Sequence, residues 1–224
     1  MYLLGVFATF LCTCIDVCPC YNDYKKCLEV LPVLPQEVLN RIDRVIKETW
    51  IHKISKDYAD WYMLKEDSLK CCMYYHLRSQ LDDLLREHNL RIYPEFYFKD
   101  LAYRADLAIV QVDPDSEEDY LANAVTDVVA IIELKYTAST ADGTAEWVKK
   151  DVAKIKNYIQ TGKLSCQFYF AVIYEVECSS LRWMDRRSTN NWASGYVTEL
   201  DAGYINDEMR FEVNAYNGMN EDIK

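Results

Sequence analysis

Two short apolar runs with charges set into them constrain this chain most: Arg104-Ala-Asp106-Leu-Ala-Ile-Val110 and Val128-Val-Ala-Ile-Ile-Glu133-Leu-Lys135-Tyr136. Both are rich in Val, Ile and Ala and bounded by polar segments, the pattern of β-strands. Side chains alternate along a strand, so Glu133 and Lys135 project together with Ile131, while Leu134 points the other way. Asp106 shares its face with Ala108 and Val110, where a half-buried carboxylate needs a cation or hydrogen bonds. The second run is apolar on both faces up to Ile132, as in a central strand covered on both sides. If the two strands are neighbours, Asp106, Glu133 and Lys135 meet in one patch at the mouth of a solvent-reachable cleft. Two carboxylates and a lysine so placed can hold a hard divalent cation beside a nucleophilic water.

The flanking segments complete an α/β order. Pro35 is placed to open a helix, and Val38, Leu39, Ile42, Val45 and Ile46 then recur at helical spacing. A second helix is predicted from Glu66 or Ser68 to just before Asn89, with Leu69, Cys72, Met73, Leu77, Leu81, Leu84 and Leu85 as its stripe. Tyr93 to Phe98 alternates like a strand and carries Glu95. The Asp106 strand follows, then an acidic turn from Asp113 to Asp119, then the Glu133 strand. Asp142-Gly143-Thr144 reads as a turn into a helix with Val148, Val152, Ile155 and Ile159 on one face, stopped by Gly162. Residues 167–176 form a strongly apolar strand. Residues 182–194 read as irregular, with short strands near Tyr196 and Phe211.

This order of helix, three strands, helix and strand, with Asp106 on the second strand and Glu133-x-Lys135 on the third, resembles the core of the PD-(D/E)xK nuclease superfamily. The likeness spans residues 66–176 and implies a restriction-endonuclease-like fold with a mixed central sheet and an extra N-terminal helix. It also implies a Mg²⁺-dependent phosphodiester hydrolase, with Mn²⁺ able to substitute. By position, Asp106 and Glu133 would ligate the metal, helped by the backbone carbonyl of Leu134, and Lys135 would orient or activate the attacking water. Relatives often carry an acidic residue on the helix before the first strand, a place Glu66 fills. Many also have Gln-x-x-x-Tyr on the helix after the Glu-x-Lys strand, where this chain has Lys154 and Tyr158, so the tyrosine matches and the glutamine does not. Glu95 is a further accessory candidate. The implied partner is nucleic acid, DNA or RNA, with a homodimer or a protein partner as further possibilities. A nuclease-fold protein that binds a partner without cutting is the alternative.

Charge bears on that choice. The formal net charge is −11, and acids outnumber bases from Asp106 onward. Phosphate affinity comes largely from Lys and Arg, so tight non-specific binding to nucleic acid is disfavoured. Arg182, Arg186 and Arg187, with Trp183 and Trp192 nearby, form the one basic–aromatic cluster able to grip phosphates and stack bases. The chain is long enough for a single cored domain, expected over residues 35–224. Residues 1–34 read as a Cys-rich arm, a mis-set start or a cleaved or lipid-linked leader; the apolar stretch there is too short to span a bilayer. Nine cysteines, five of them between Cys12 and Cys27, match no usual zinc spacing. The odd number and the ample core argue for free thiols in a reducing cytoplasm, with Cys71, Cys72 and Cys166 buried.

Overall fold

The computed structural model describes residues 34–98, 103–138, 144–161 and 166–219, all within one compact unit, Leu34–Lys224. The expected N-terminal arm with its cysteines, the turn at Asp142 and Gly143 and the helix stop at Gly162 lie outside these residues. The chain begins with α1 (Gln36–Glu48), a π-helical turn (Thr49–Ile54) and α2 (Ser55–Ala59). It continues through α3 (Glu66–Gln80) and α4 (Asp82–Glu87) into β1 (Leu90–Phe98) and β2 (Tyr103–Val112). After a 3₁₀ turn (Leu121–Ala124) come β3 (Val125–Thr137), α5 (Thr144–Thr161) and β4 (Gln167–Glu177). A short α6 (Arg186–Thr189), β5 (Val197–Ile205) and β6 (Glu208–Ala215) close the order.

The predicted order of helix, three strands, helix and strand is present, and the helix before the strands has a break in it. At Leu81 the backbone leaves helical geometry (φ −103°, ψ 5°), yet Leu77, Leu81, Leu84 and Leu85 are all buried. The stripe therefore stays on the core while the axis turns. Ser68 fixes the start of α3: its Oγ accepts the N–H groups of Leu64 and Lys65 and donates to the Lys65 carbonyl. This satisfies groups that a helix end leaves unpaired. Cys71 lies beside that stripe and is exposed and Cys72 is only half-buried, correcting the expectation that both are buried, whereas Cys166 is buried.

The six strands lie in the order β1-β2-β3-β4-β5-β6. β1-β2, β2-β3 and β5-β6 pair antiparallel, and β3-β4 and β4-β5 parallel, with α5 carrying the chain across between β3 and β4. The segments expected as short strands near Tyr196 and Phe211 are two full strands that extend the sheet past β4. Period-two alternation builds a core on each face. Tyr169, Ala171 and Ile173 of β4 join Leu107, Ile132 and Leu134 under α1, α3 and α4. Phe168, Phe170 and Val172 join Ile131 and Val110 under Val148, Ile155 and Tyr158 of α5. The result is a three-layer α/β/α arrangement around a mixed sheet. No helix among the described residues is long and apolar enough to cross a membrane.

A buried ion pair ties the first layer to the sheet and to the end of the described chain. Lys47 and Asp43, one turn apart on α1, sit 2.6 Å from each other. Asp43 Oδ1 accepts from Tyr169 Oη (2.8 Å) and Asn217 Nδ2 (2.8 Å), while Lys47 Nζ donates to the Met219 carbonyl (3.0 Å). Removing one partner strands a charge in the core, which costs far more than replacing both. Asp43→Ala should therefore lower unfolding stability by about 3–5 kcal/mol in urea titration, and Asp43→Ala combined with Lys47→Met should recover a large part of it. Equal losses in the single and double variants would show that Lys47 finds another counter-ion.

Candidate functional site

The site begins where β2 and β3 stop pairing. Their ladder runs to Leu107↔Ile132, so Asp106 and Glu133 occupy the next facing positions. There the Asp106 carboxylate takes the role of a backbone acceptor: Oδ2 receives the Leu134 N–H at 2.9 Å. On its other side Asp106 faces Glu95, between the paired positions Pro94↔Leu107 and Phe96↔Ala105. Glu95 has a left-handed φ of 53°, a conformation that costs energy in a residue with a Cβ. It drops out of the ladder, and its carboxylate pairs with Lys70 and with Arg104 (3.7 Å). Arg104 therefore serves Glu95, and the counter-ion of Asp106 is Lys70, at 3.0 Å from Oδ1.

Glu133 is set more deeply than a cleft mouth would allow. It is 3% exposed, correcting the expectation of a solvent-reachable strand end. Oε1 accepts from the Tyr103 hydroxyl, and Oε2 lies 3.4 Å from Lys154 Nζ. The same ammonium stands 4.0 Å over the Tyr103 ring, a cation–π contact. Tyr158 packs its ring 4.4 Å from that of Tyr103. Lys135, two residues beyond Glu133, bridges Glu66 of α3 (3.2 Å) and Asp151 of α5 (3.3 Å). The sequence candidates around Asp106 and Glu133 thus lie in three neighbouring sets of contacts, with Glu66 and Lys70 one turn apart on α3 and Asp151, Lys154 and Tyr158 along one stripe of α5.

Electrostatics divides the charges into two kinds. Burial pushes the Glu133 carboxyl up to about 7, with Lys154 opposing and Asp151 adding to the rise. Burial also works against the charge on Lys135, but Asp151, Glu66 and Asp106 outweigh it and hold the ammonium above its ordinary value. Lys135 is therefore a donor and a fixed positive charge near neutrality, and Glu133 is the group whose charge changes there.

Sequence reasoning missed Lys70, Tyr103 and Asp151. Lys70 had a local signal, since it follows Glu66 at i+4 on the same helical stripe. Asp151 likewise precedes Lys154 by three residues. Tyr103 opens its strand after residues 99–102 and carried no signal of its own.

The donor set suits a hard cation: the carboxylates of Asp106 and Glu133 and the Leu134 carbonyl are all oxygen. Asp151 Oδ2 is buried and, although at ion-pair distance from Lys135, makes no hydrogen bond, leaving one oxygen with unused capacity. Among the described residues no three His, Cys, Asp or Glu side chains cluster closely enough to cage a metal. A cation at Asp106 and Glu133 would complete its shell with water, as Mg²⁺ commonly does.

Comparison of the chain with models of known protein families, with curated proteins and with solved structures finds no match.

The raised Glu133 carboxyl makes the stability of the fold pH-dependent. Its proton is held more tightly in the native state (about 7) than at the ordinary value of 4.5. That contribution is fully present below the unfolded value and is lost as pH rises through about 7, amounting to about 3 kcal/mol. Glu133→Gln lacks it, so its stability relative to the native sequence should rise between pH 5 and 8. Urea titrations at the two pH values check this; a constant difference would mean that Glu133 is ionised throughout.

Proposed function

We propose that this protein is a divalent-metal-dependent nuclease, a phosphodiester hydrolase acting at Asp106, Glu133 and Lys135. One observation carries the reading: two carboxylates take facing positions where two adjacent strands part, with a lysine two residues beyond the second. That arrangement agrees with the restriction-endonuclease-like pattern read from the sequence. In this reading Asp106, Glu133 and the Leu134 carbonyl would hold Mg²⁺ or Mn²⁺. Such an ion, when bound, would acidify water and offset negative charge building on the phosphoryl oxygens.

The chain's own residues supply the rest. The Leu134 N–H fixes Asp106, so its remaining oxygen has a defined direction. Tyr103 and Lys154 fix Glu133 in the same way. Lys135, kept protonated by Glu66 and Asp151, is suited to orient a water by hydrogen bonding and to stabilise negative charge on phosphate oxygens. It is not suited to take a proton from that water. Glu133 near pH 7 gives the site its protonation-dependent carboxylate.

A non-cutting, nuclease-fold binding protein is the second reading. It is favoured by the lysines already paired with both metal-ligand candidates, Lys70 on Asp106 and Lys154 on Glu133. Cleavage assays separate the two. With Mg²⁺ or Mn²⁺, the native chain should cut DNA or RNA and stop in excess chelator. Asp106→Asn, Glu133→Gln and Lys135→Ala should each lose at least about a hundredfold in rate while staying folded by circular dichroism. Absence of cutting on every single- and double-stranded substrate with either metal would leave the binding reading.

Lys70 makes a separate expectation. Its side chain is 12% exposed and touches both Asp106 and Glu95, so an incoming divalent ion at Asp106 must displace or repel it. Lys70→Met should bind Mn²⁺ about tenfold more tightly, roughly 1.4 kcal/mol, in titration calorimetry. Weaker binding would show that Lys70 supports the ion instead of competing with it.

A further inference from the structure

The face of the sheet that carries Glu133 and Lys135 continues beyond β3. Register pairs Glu133 with Phe170 and Glu199, Lys135 with Val172 and Asp201, and Thr137 with Tyr174 and Gly203. Tyr174 is therefore one strand across from Lys135 and two residues further along. At about 4.8 Å between strands and roughly 3.3 Å per residue, the two Cα atoms are about 8 Å apart.

Over Tyr174 the loop after β4 closes a cavity of about 220 Å³, whose walls include Cys178, Ser180, Leu181, Arg182 and Trp183. The wall is built, not incidental. Glu199, buried in β5, accepts the N–H groups of Trp183 (2.9 Å) and Met184 (2.8 Å) and the Tyr216 hydroxyl (2.7 Å). Leu181 and Met184 are buried on either side, so the backbone between them is pinned while Arg182 stays exposed and Trp183 is half-buried. Gly203 makes the seat possible: a Cβ there would meet Leu181 Cδ2 at 2.9 Å and the Tyr174 carbonyl at 3.0 Å. The Trp183 and Tyr174 rings meet edge to face, 5.5 Å between centroids and 85° between planes. That geometry gives a cavity with two aromatic surfaces at right angles, a planar guanidinium and a hydroxyl.

We propose that this cavity receives one unpaired nucleobase next to the phosphodiester presented to Asp106 and Glu133, so that the substrate is single-stranded or locally unpaired nucleic acid. The inference rests on the nuclease reading for the identity of the neighbouring site. Three arguments favour a base. A cavity of about 220 Å³ with aromatic walls has room for a base, and a base still stacked and paired in a duplex cannot enter it. Base stacking on aromatics tolerates any sequence and does not draw on phosphate charge, which suits a chain of net charge −11. The cavity also adjoins the site, since Tyr174 and Lys135 lie about 8 Å apart between Cα atoms on the same face of the sheet.

The test is binding of short fluorescent DNA and RNA strands in chelator, where nothing is cut, followed by kinetics with Mn²⁺. Single strands should bind better than the matching duplex. An abasic nucleotide moved along the strand should cost roughly tenfold at one position and little elsewhere. Trp183→Ala and Arg182→Ala should each weaken binding roughly tenfold, with Trp183→Phe restoring most of it, and should raise KM more than they lower kcat. Equal affinity for duplex and single strand, or an abasic scan without a sensitive position, overturns the proposal whether or not Trp183→Ala folds. Glu133→Gln should keep the abasic signature while losing cleavage. If the signature is present and no metal supports cutting by the native chain, the cavity stands and the nuclease reading falls.

Discussion

The backbone N–H of Leu134 donates to the carboxylate of Asp106, and the arrangement of the site depends on that bond. A strand edge inside a sheet must satisfy its backbone donors. Here the donor at the point where β2 leaves β3 is satisfied by a side chain, so the strands can part without an orphaned buried N–H. The parting opens the gap around which Glu133, Lys135, the start of α3 and the middle of α5 bring their charges. A nonpolar residue at position 106 would leave the Leu134 N–H unmet and remove the neighbour that helps to hold Lys135 charged. One carboxylate thus joins backbone satisfaction to site chemistry.

Around that gap the charges alternate: Glu95, Lys70 and Asp106 on one side, Glu66, Lys135 and Asp151 on another, Lys154 and Glu133 on a third. Each ammonium lies against at least one carboxylate, and the carboxylates outnumber the lysines. Buried or half-buried ion pairs of this kind contribute little net stability, because desolvation offsets most of their attraction. Their value is positional. With Arg104 also on Glu95 the cations nearly balance the carboxylates, and Glu133, pushed up to about 7 by burial, is where the network's charge is least settled near neutral pH.

The same sheet carries a second set of buried carboxylates with a different use. Glu199 spends its oxygens on two backbone N–H groups and a tyrosine and so acts as a fastener for the loop above Tyr174. Asp201 bonds Asn214 (2.9 Å) while its other oxygen is unpartnered, and burial, reinforced by Glu199, holds its carboxyl well above the usual range. Identical side-chain chemistry thus yields a loop fastener in one place and a candidate ligand in another. The neighbours decide which: backbone donors around Glu199, ammonium groups around Glu133.

Much of this was legible in the chain. The period-two runs marked β2 and β3, and the both-face apolar character of the Glu133 strand marked it as central; the helical stripes of α1, α3 and α5 were readable because each must bury one face. The placement of Asp106 and Glu-x-Lys on successive strands was enough to bring Asp106, Glu133 and Lys135 to one locality, since neighbouring strands put facing residues together. What the sequence could not decide was which charge meets which. The sequence left the counter-ion of Asp106 open, and the folded chain supplies Lys70 from a helix that comes earlier in the chain, while Arg104, two residues from Asp106, pairs with Glu95. The depth of Glu133 likewise follows from the Tyr103 ring, and Lys154 and Tyr158 packed over it, contacts between segments up to about fifty residues apart. Strand and helix periodicity are local properties written into neighbouring residues; ion pairing, burial and the protonation they set belong to the packing of distant segments, which only the folded chain determines.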